Sequence, residues 1–272
     1  MSPSRLAVEV SGRGEALVLI HGLATTRSIW ASVAPALART RRVVTLDVPG
    51  FGQSEPVGEG FQLDAVAERI ARGLAARGVK SPLDVVGHSL GAGVALTLAA
   101  VRPRLVRRLV LVAPAGLAVV PRLASLLLAA AAESLLAARR ELAPLADFRW
   151  GRRLLLAFAA ADGARIPPTE ARMMLDASAG AARTAAAFRA ITSADLRPLL
   201  ARTSAPLGLI WGAEDRTVSP KLARAVRELR PDARLVMIER AGHVAMVERP
   251  DAFVAALQGV LARLSRYATT SR

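Results

Sequence analysis

The hydrophobic positions of this 272-residue chain follow two periodicities that alternate along the sequence. Short apolar runs typical of buried strands are separated by stretches in which apolar residues recur every three or four positions, as they do in amphipathic helices. This alternation predicts an α/β fold with a mostly parallel, doubly wound central sheet. The predicted strands are 6–10, 16–20, 43–47, 83–87, 109–112, 207–211 and 235–238, and the predicted helices are 63–74, 92–100, 222–229 and 250–264.

The alternation stops between residues 117 and 195. This stretch is rich in alanine and leucine, has a helical pattern and contains no clear strand. We therefore predict that 117–195 is an inserted helical cap and that 1–116 and 196–272 form the core. Five large apolar residues of the predicted cap could line a roof over a substrate, but their helical spacing favours packing in its interior. They are Phe148, Phe158, Met173, Met174 and Phe188.

The composition excludes several kinds of site. The chain has no cysteine, which excludes disulfides, thiolate metal sites and cysteine nucleophiles, and fits a reducing cytoplasm. With three histidines and no phosphate-binding or dinucleotide-binding glycine motif, we predict neither a metal nor a cofactor. Residues 1–10 lack the apolar core of a signal peptide. Arg122 and Glu133 interrupt the most apolar stretch, 117–138, so no transmembrane segment is predicted.

The formal net charge is +15 and comes almost wholly from arginine. The arginines occur singly or in pairs, and no signature of a nucleic-acid-binding module is present. We interpret them as residues of solvated faces and predict no nucleic-acid partner. Docking on an anionic membrane or on nucleic acid remains a competing hypothesis, which strongly salt-dependent binding would support.

The strongest chemical motif is Gly87-His88-Ser89-Leu90-Gly91, a G-x-S-x-G pentapeptide. A β-rich run precedes it and a helical run follows, which is the strand–turn–helix context of a nucleophile elbow. The tight turn forces the serine into a strained backbone conformation and presents its hydroxyl at the end of the sheet. Side chains at the two flanking glycines would collide with neighbouring backbone. Ser89 is therefore the predicted nucleophile.

A serine hydroxyl needs a base to accept its proton, and His243 follows a predicted strand and precedes the last helix. Asp215 comes just after another predicted strand, where a carboxylate could fix the tautomer of His243 and stabilise the imidazolium. Glu214 is its nearest rival and Asp195 a weaker one. The chain order serine, aspartate, histidine is the one expected when the serine sits on such an elbow.

Two backbone N–H groups should bind the negative oxygen of the tetrahedral intermediate. Leu90 follows the nucleophile at the start of a helix, and Leu23 lies in the loop after strand 16–20; these are the predicted donors. The His21-Gly22 pair before Leu23 could also be an ordinary turn. We expect His88 to pack at the elbow without a chemical role.

Three further residues have competing interpretations. Asp47 ends a strand and precedes a Pro-Gly turn, so a structural role is favoured. Glu248 precedes Pro250 and is expected to help start the last helix. Trp30 could line an acyl pocket or pack in the core.

Taken together, these motifs resemble the α/β-hydrolase superfamily over 16–117 and 196–264. The matching segments are His21-Gly22, 47–54, 87–91, 212–215 with Pro220, and Gly242-His243. The resemblance implies an α/β-hydrolase fold. Ser89 stands where haloalkane dehalogenases and epoxide hydrolases have aspartate. His88 and Val244 depart from the asparagine and tryptophan found in meta-cleavage hydrolases.

What remains is similar to serine carboxylesterases and monoacylglycerol-lipase-like enzymes. The resemblance implies hydrolysis of a carboxylic ester through an acyl-enzyme. The apolar, small-residue composition of the predicted cap favours an apolar acyl group. A thioesterase, a lactonase or a C–C bond hydrolase would use the same triad, and a non-catalytic binding protein could share the fold.

Overall fold

One seven-stranded sheet forms the centre of the structure. The computed structural model describes residues 5–177 and 181–270, with side chains for 5–177 and 183–265. The strand order is β1-β3-β2-β4-β5-β6-β7; β1 is antiparallel to β3 and every other pair is parallel. The strands are β1 (Val8–Ser11), β2 (Ala16–Ile20), β3 (Arg42–Leu46), β4 (Leu83–His88), β5 (Val106–Val112), β6 (Leu207–Gly212) and β7 (Arg234–Ile238).

Helices connect the strands and fill the segment between β5 and β6. The α-helices are α1 (Ala34–Leu37), α2 (Leu63–Ala76), α3 (Leu90–Val101), α4 (Arg122–Glu141), α5 (Arg149–Leu155), α6 (Pro168–Asp176), α7 (Ala181–Ser193), α8 (Arg197–Arg202), α9 (Leu222–Leu229), α10 (Ala245–Glu248) and α11 (Pro250–Thr270). Short 3-10 turns cover Arg27–Trp30, Ala143–Asp147 and Gly163–Arg165.

Both faces of the sheet are buried, which explains why its central strands are continuous apolar runs. In β2, Val18 and Ile20 join the apolar cluster that contains residues of α2 and α3. Leu17 and Leu19 join the opposite cluster, which contains residues of α11. None of these four side chains is exposed to solvent. The sheet is therefore doubly wound, as the periodicity predicted.

The predicted strands all form, with shifts at their ends. β2 has the predicted limits, whereas β1 begins at Val8 and runs antiparallel. β5 begins at Val106, three residues before its predicted start at Leu109. The sequence pattern missed this start because Arg107 and Arg108 interrupt the apolar run.

A buried carboxylate accounts for those two arginines. Asp84 of β4 is fully buried and accepts hydrogen bonds from Arg108 Nε at 2.7 Å, Arg107 Nε at 3.0 Å and Arg41 Nη1 at 2.6 Å. Burial raises the pKa of Asp84, but the arginines more than offset this and hold it below its ordinary value. Arg108 also donates to Leu261 O at 2.9 Å and so fixes α11 to the sheet.

The expectation that the arginines occupy solvated faces is wrong for three of them. Arg108, Arg152 and Arg230 are at most 9% exposed. Arg152 donates to the carbonyl of Ala146 at 2.7 Å, and Arg230 to that of Thr203 at 2.8 Å. Their guanidinium groups satisfy backbone carbonyls that would otherwise be buried without partners.

The described residues between 117 and 195 form helices and no strand, as the pattern predicted. Phe148, Phe158 and Met173 are 56%, 63% and 38% exposed, so the expectation that they pack in an interior is wrong. They sit on short helices and turns, where helical spacing does not define one buried face. Met174 and Phe188 are half-buried.

No helix in the described part of the chain is long and apolar enough to cross a membrane. The division into core and cap stays a prediction.

Candidate active site

Ser89 occupies a sharp turn between β4 and α3. Its φ of 53° and ψ of −116° lie outside the regions that non-glycine residues normally adopt. The turn is closely packed, since a Cβ atom on Gly87 would lie 2.2 Å from Gly91 O, and one on Gly91 would lie 2.3 Å from His21 O. Glycine is therefore required on both sides of the serine, as the sequence predicted.

The loop after β2 lies directly against this turn. A Cβ atom on Gly22 would lie 3.1 Å from Ser89 Cβ. Leu23 follows Gly22, and Leu90 is the first residue of α3. Within the described residues, neither the Leu23 nor the Leu90 N–H donates a hydrogen bond. Both predicted oxyanion donors are therefore free, and both belong to segments that meet at the nucleophile.

Asp215 and His243 are in direct contact, with Asp215 Oδ2 and His243 Nδ1 2.7 Å apart. The carboxylate is buried, and its other oxygen accepts N–H groups from Thr217 at 2.8 Å and Val218 at 2.9 Å. A carboxylate accepts, so Nδ1 carries the proton, and the Nε2 of a neutral imidazole is left with a free lone pair. The rivals do not share this position: Glu214 is exposed, and Asp195 pairs with Arg197.

His243 lies beside the elbow. Its ring centroid is 4.6 Å from that of His88, and His88 Nε2 donates to the His243 carbonyl at 2.9 Å. Ser89 and His243 are 8% and 7% exposed. No hydrogen bond joins the Ser89 hydroxyl to the imidazole in the described part of the chain. Catalytic hydrogen bonds of this kind are often long without substrate and tighten in the Michaelis complex.

His88 has a role that the sequence did not reveal. Because its Nε2 donates to a carbonyl, its Nδ1 is unprotonated, and this buried atom has no hydrogen-bond partner among the residues that the structure describes. Burial, together with the neighbouring His243, holds the pKa of His88 well below its ordinary value, so His88 stays neutral. It links the elbow to the loop that carries His243.

His21 fixes the loop that carries Leu23. Its Nε2 accepts the N–H of Val48 at 2.9 Å, and its Nδ1 donates to Gly22 O at 2.8 Å. Complete burial lowers the pKa of His21 to about 4, so both hydrogen bonds persist at neutral pH. The His21-Gly22 pair is therefore a fixed bend between β2 and the loop after β3.

For Asp47 and Trp30, the structure agrees with one of the two interpretations given above. Asp47 is structural: its buried carboxylate accepts the N–H groups of Arg27 at 2.8 Å and Gln53 at 2.9 Å. Trp30 is fully buried and lies edge-on to His88, with a centroid distance of 6.5 Å, so it packs in the core. The expectation that Glu248 helps to start the last helix, α11, is wrong. Its carboxylate instead accepts the N–H of Gly242, in the loop before α10.

Comparison with known proteins agrees with the fold. The model of the alpha/beta hydrolase fold family matches residues 15–250. Pimeloyl-[acyl-carrier protein] methyl ester esterase of Neisseria meningitidis is 31% identical over 240 residues, which cover 87% of this chain and 90% of that protein. The crystal structure of a membrane phospholipase A has a TM-score of 0.76 and 30% identity, and the match covers 96% of this chain and 83% of that one.

The crystal structure of an enol-lactonase from Burkholderia xenovorans has a TM-score of 0.76 and 23% identity, and the match covers 96% of this chain and 98% of that one. At this identity the likeness shows the fold alone. The family match spans strands β2 to β7, the turn at Ser89 and the loops of Asp215 and His243. This chain is therefore an enzyme of the alpha/beta hydrolase family.

Proposed function

We propose that the chain is a serine hydrolase that cleaves a carboxylic ester through an acyl-enzyme. The observation that carries the proposal is the 2.7 Å contact between His243 and Asp215, beside a serine held at positive φ. The N–H groups of Leu23 and Leu90 beside that serine add support, because neither donates to any part of the chain that the structure describes. A structural serine would need neither the strained turn nor these free donors.

In the proposed reaction, Ser89 Oγ attacks the acyl carbonyl carbon while its proton passes to His243 Nε2. The N–H groups of Leu23 and Leu90 bind the oxyanion, and the positive end of α3 adds to its stabilisation. Asp215 stabilises the imidazolium. Collapse of the intermediate releases the alcohol, which takes the proton from His243. Water, deprotonated by His243, then hydrolyses the acyl-enzyme and restores the Ser89 hydroxyl.

The described helices between residues 117 and 195 form the proposed cap over this site. They are rich in alanine and leucine, which favours an apolar acyl group. The esterase relatives support an ester as the bond cleaved. The cytoplasmic location suggested by the absence of cysteine stays a prediction.

Kinetics of Ser89→Ala test the proposal. We expect wild-type protein to hydrolyse aryl esters of graded acyl length and to react covalently with a fluorophosphonate probe. Ser89→Ala should lose at least about a thousandfold in kcat and all labelling, without unfolding. Ser219→Ala changes an exposed serine outside the site and should behave as wild type.

Substrates with a thioester, a lactone or a vinylogous diketone distinguish the alternatives that would use the same triad. Preference for one of these over every ester would replace the proposed bond specificity. A wild-type protein that neither turns over any substrate nor reacts with the probe would indicate a binding protein on this fold.

A further inference from the structure

The segment 158–162, which follows α5, contacts the loops of both Asp215 and His243. Phe158 O accepts the hydroxyl of Thr217 at 2.6 Å, and the N–H of Thr217 donates to Asp215 at 2.8 Å. Ala159 O accepts the N–H of Val244 at 3.1 Å. This one segment of the helical region between β5 and β6 therefore bridges the loop of the acid and the loop of the base.

Glu248 reinforces the second of these contacts. Its Oε2 accepts the N–H of Gly242 at 2.5 Å, and its Oε1 accepts the N–H groups of Ala161 at 2.7 Å and Asp162 at 3.2 Å. Burial raises the pKa of Glu248, as does the nearby charge of Glu214, whereas the three N–H groups favour the carboxylate form. The carboxylate thus joins two backbone segments, one of which leads directly into His243.

The two segments pack backbone against backbone. A Cβ atom on Gly242 would lie 2.6 Å from Ala161 N and 2.8 Å from the carbonyl carbon of Ala160. On its other side Gly242 is close to β6, because a Cβ atom on Gly212 would lie 2.1 Å from Gly242 O. The backbone before His243 is therefore held from both sides, and Glu248 supplies the hydrogen bonds on one of them.

We propose that Glu248 is a positioning residue that clamps the 158–162 segment to the backbone before His243 and so aligns the imidazole with Ser89. The proposal rests on the proposed function, in which His243 is the base. It also makes the helical region part of the catalytic geometry, because moving the 158–162 segment away would break its contacts to both loops.

Glu248→Gln tests the clamp, since glutamine keeps the shape but replaces one accepting oxygen with an NH2 donor that faces backbone N–H groups. We expect kcat to fall about 10- to 100-fold with KM changed less than about threefold, because a small displacement of a reacting group costs this much. Amide hydrogen exchange at Gly242, Ala161 and Val244 should become faster, whereas exchange in β2 and β4 should keep its wild-type rate.

Glu214→Gln is the matched control. It removes a carboxylate from the same neighbourhood, but that side chain is exposed and makes no hydrogen bond in the described part of the chain. We expect wild-type kcat and wild-type exchange at Gly242 and Ala161. An equal loss of kcat in both variants would attribute the effect to charge alone and overturn the clamp.

Other results would also overturn the proposal. Unchanged kcat in Glu248→Gln would refute the positioning role, whether or not the exchange rates change. Faster exchange throughout β2 and β4 would show a global loss of stability instead of a local displacement. Failure of the proposed function is distinguishable, because it would appear in the wild type as absent ester turnover and absent labelling of Ser89. The exchange rates at Gly242 would then still decide whether Glu248 holds this backbone.

Discussion

Replacement of Asp215 by asparagine tests the catalytic geometry most directly. The N–H groups of Thr217 and Val218 both point at Asp215 Oδ1, so they hold the side-chain oxygen of an asparagine at that position. The NH2 group then takes the place of Oδ2, 2.7 Å from His243 Nδ1. A donor at this point requires an unprotonated Nδ1, which places the imidazole proton on Nε2. The ring can then no longer accept the proton of Ser89.

The expected loss in kcat is about 10⁴-fold, the magnitude known for a triad histidine held in the wrong tautomer. This corresponds to about 5 kcal/mol of transition-state stabilisation. The folded state should lose only about 1 kcal/mol, because the substituted side chain keeps its hydrogen bonds. Initial rates on an aryl ester and urea unfolding measure the two effects separately.

Asp195→Asn is the control for this prediction. Asp195 is exposed and its carboxylate pairs with Arg197 at 2.7 Å, so its amide variant should keep wild-type kcat. Retention of more than about a tenth of wild-type kcat in Asp215→Asn would refute the tautomer argument, which requires a loss of several orders of magnitude.

Two further predictions concern stability. Gly91→Ala would place a Cβ atom 2.3 Å from His21 O and 2.5 Å from Ile20 O, and since backbone atoms cannot move aside easily we expect a loss of about 3 kcal/mol in urea unfolding. Gly259→Ala in α11, where the Cβ atom would meet none of the described residues within 4 Å, should instead be neutral or stabilising by up to about 1 kcal/mol. Equal effects of the two substitutions would contradict the packing argument. Stability should also fall as pH is lowered from about 6.5 to about 4, because the unfolded chain protonates His21 while burial keeps the folded imidazole neutral. The lowering of the His21 pKa from 6.5 to about 4 corresponds to a loss of about 3 kcal/mol in the free energy of unfolding over this pH range. A His21→Gln variant whose stability has the same pH slope as that of the wild type would refute this.

Local features of the site could be predicted from the sequence because short-range sterics determine them. Gly87, Ser89 and Gly91 lie within five consecutive positions, and a turn that exposes a serine between a strand and a helix permits few other residue types. The clamp at Glu248 could not be predicted, since its partner Ala161 is 87 residues away. The start of β5 was missed for a related reason. Arg107 and Arg108 are polar in the sequence, and only the position of Asp84 makes them strand residues.

The sequence by itself determined the succession of strands and helices along the chain, because periodicity acts over a few residues. Turn sterics, which are equally local, identified the small set of residues able to carry the chemistry. The sequence favoured Asp215 over Glu214 and Asp195, but only the tertiary structure showed that the Asp215 carboxylate contacts His243. The tertiary structure also decided that His88 and Glu248 hold the backbone on either side of that imidazole. Such contacts depend on distances between loops at the ends of neighbouring strands. Those distances follow from the order and packing of the sheet, which no local pattern of residues encodes.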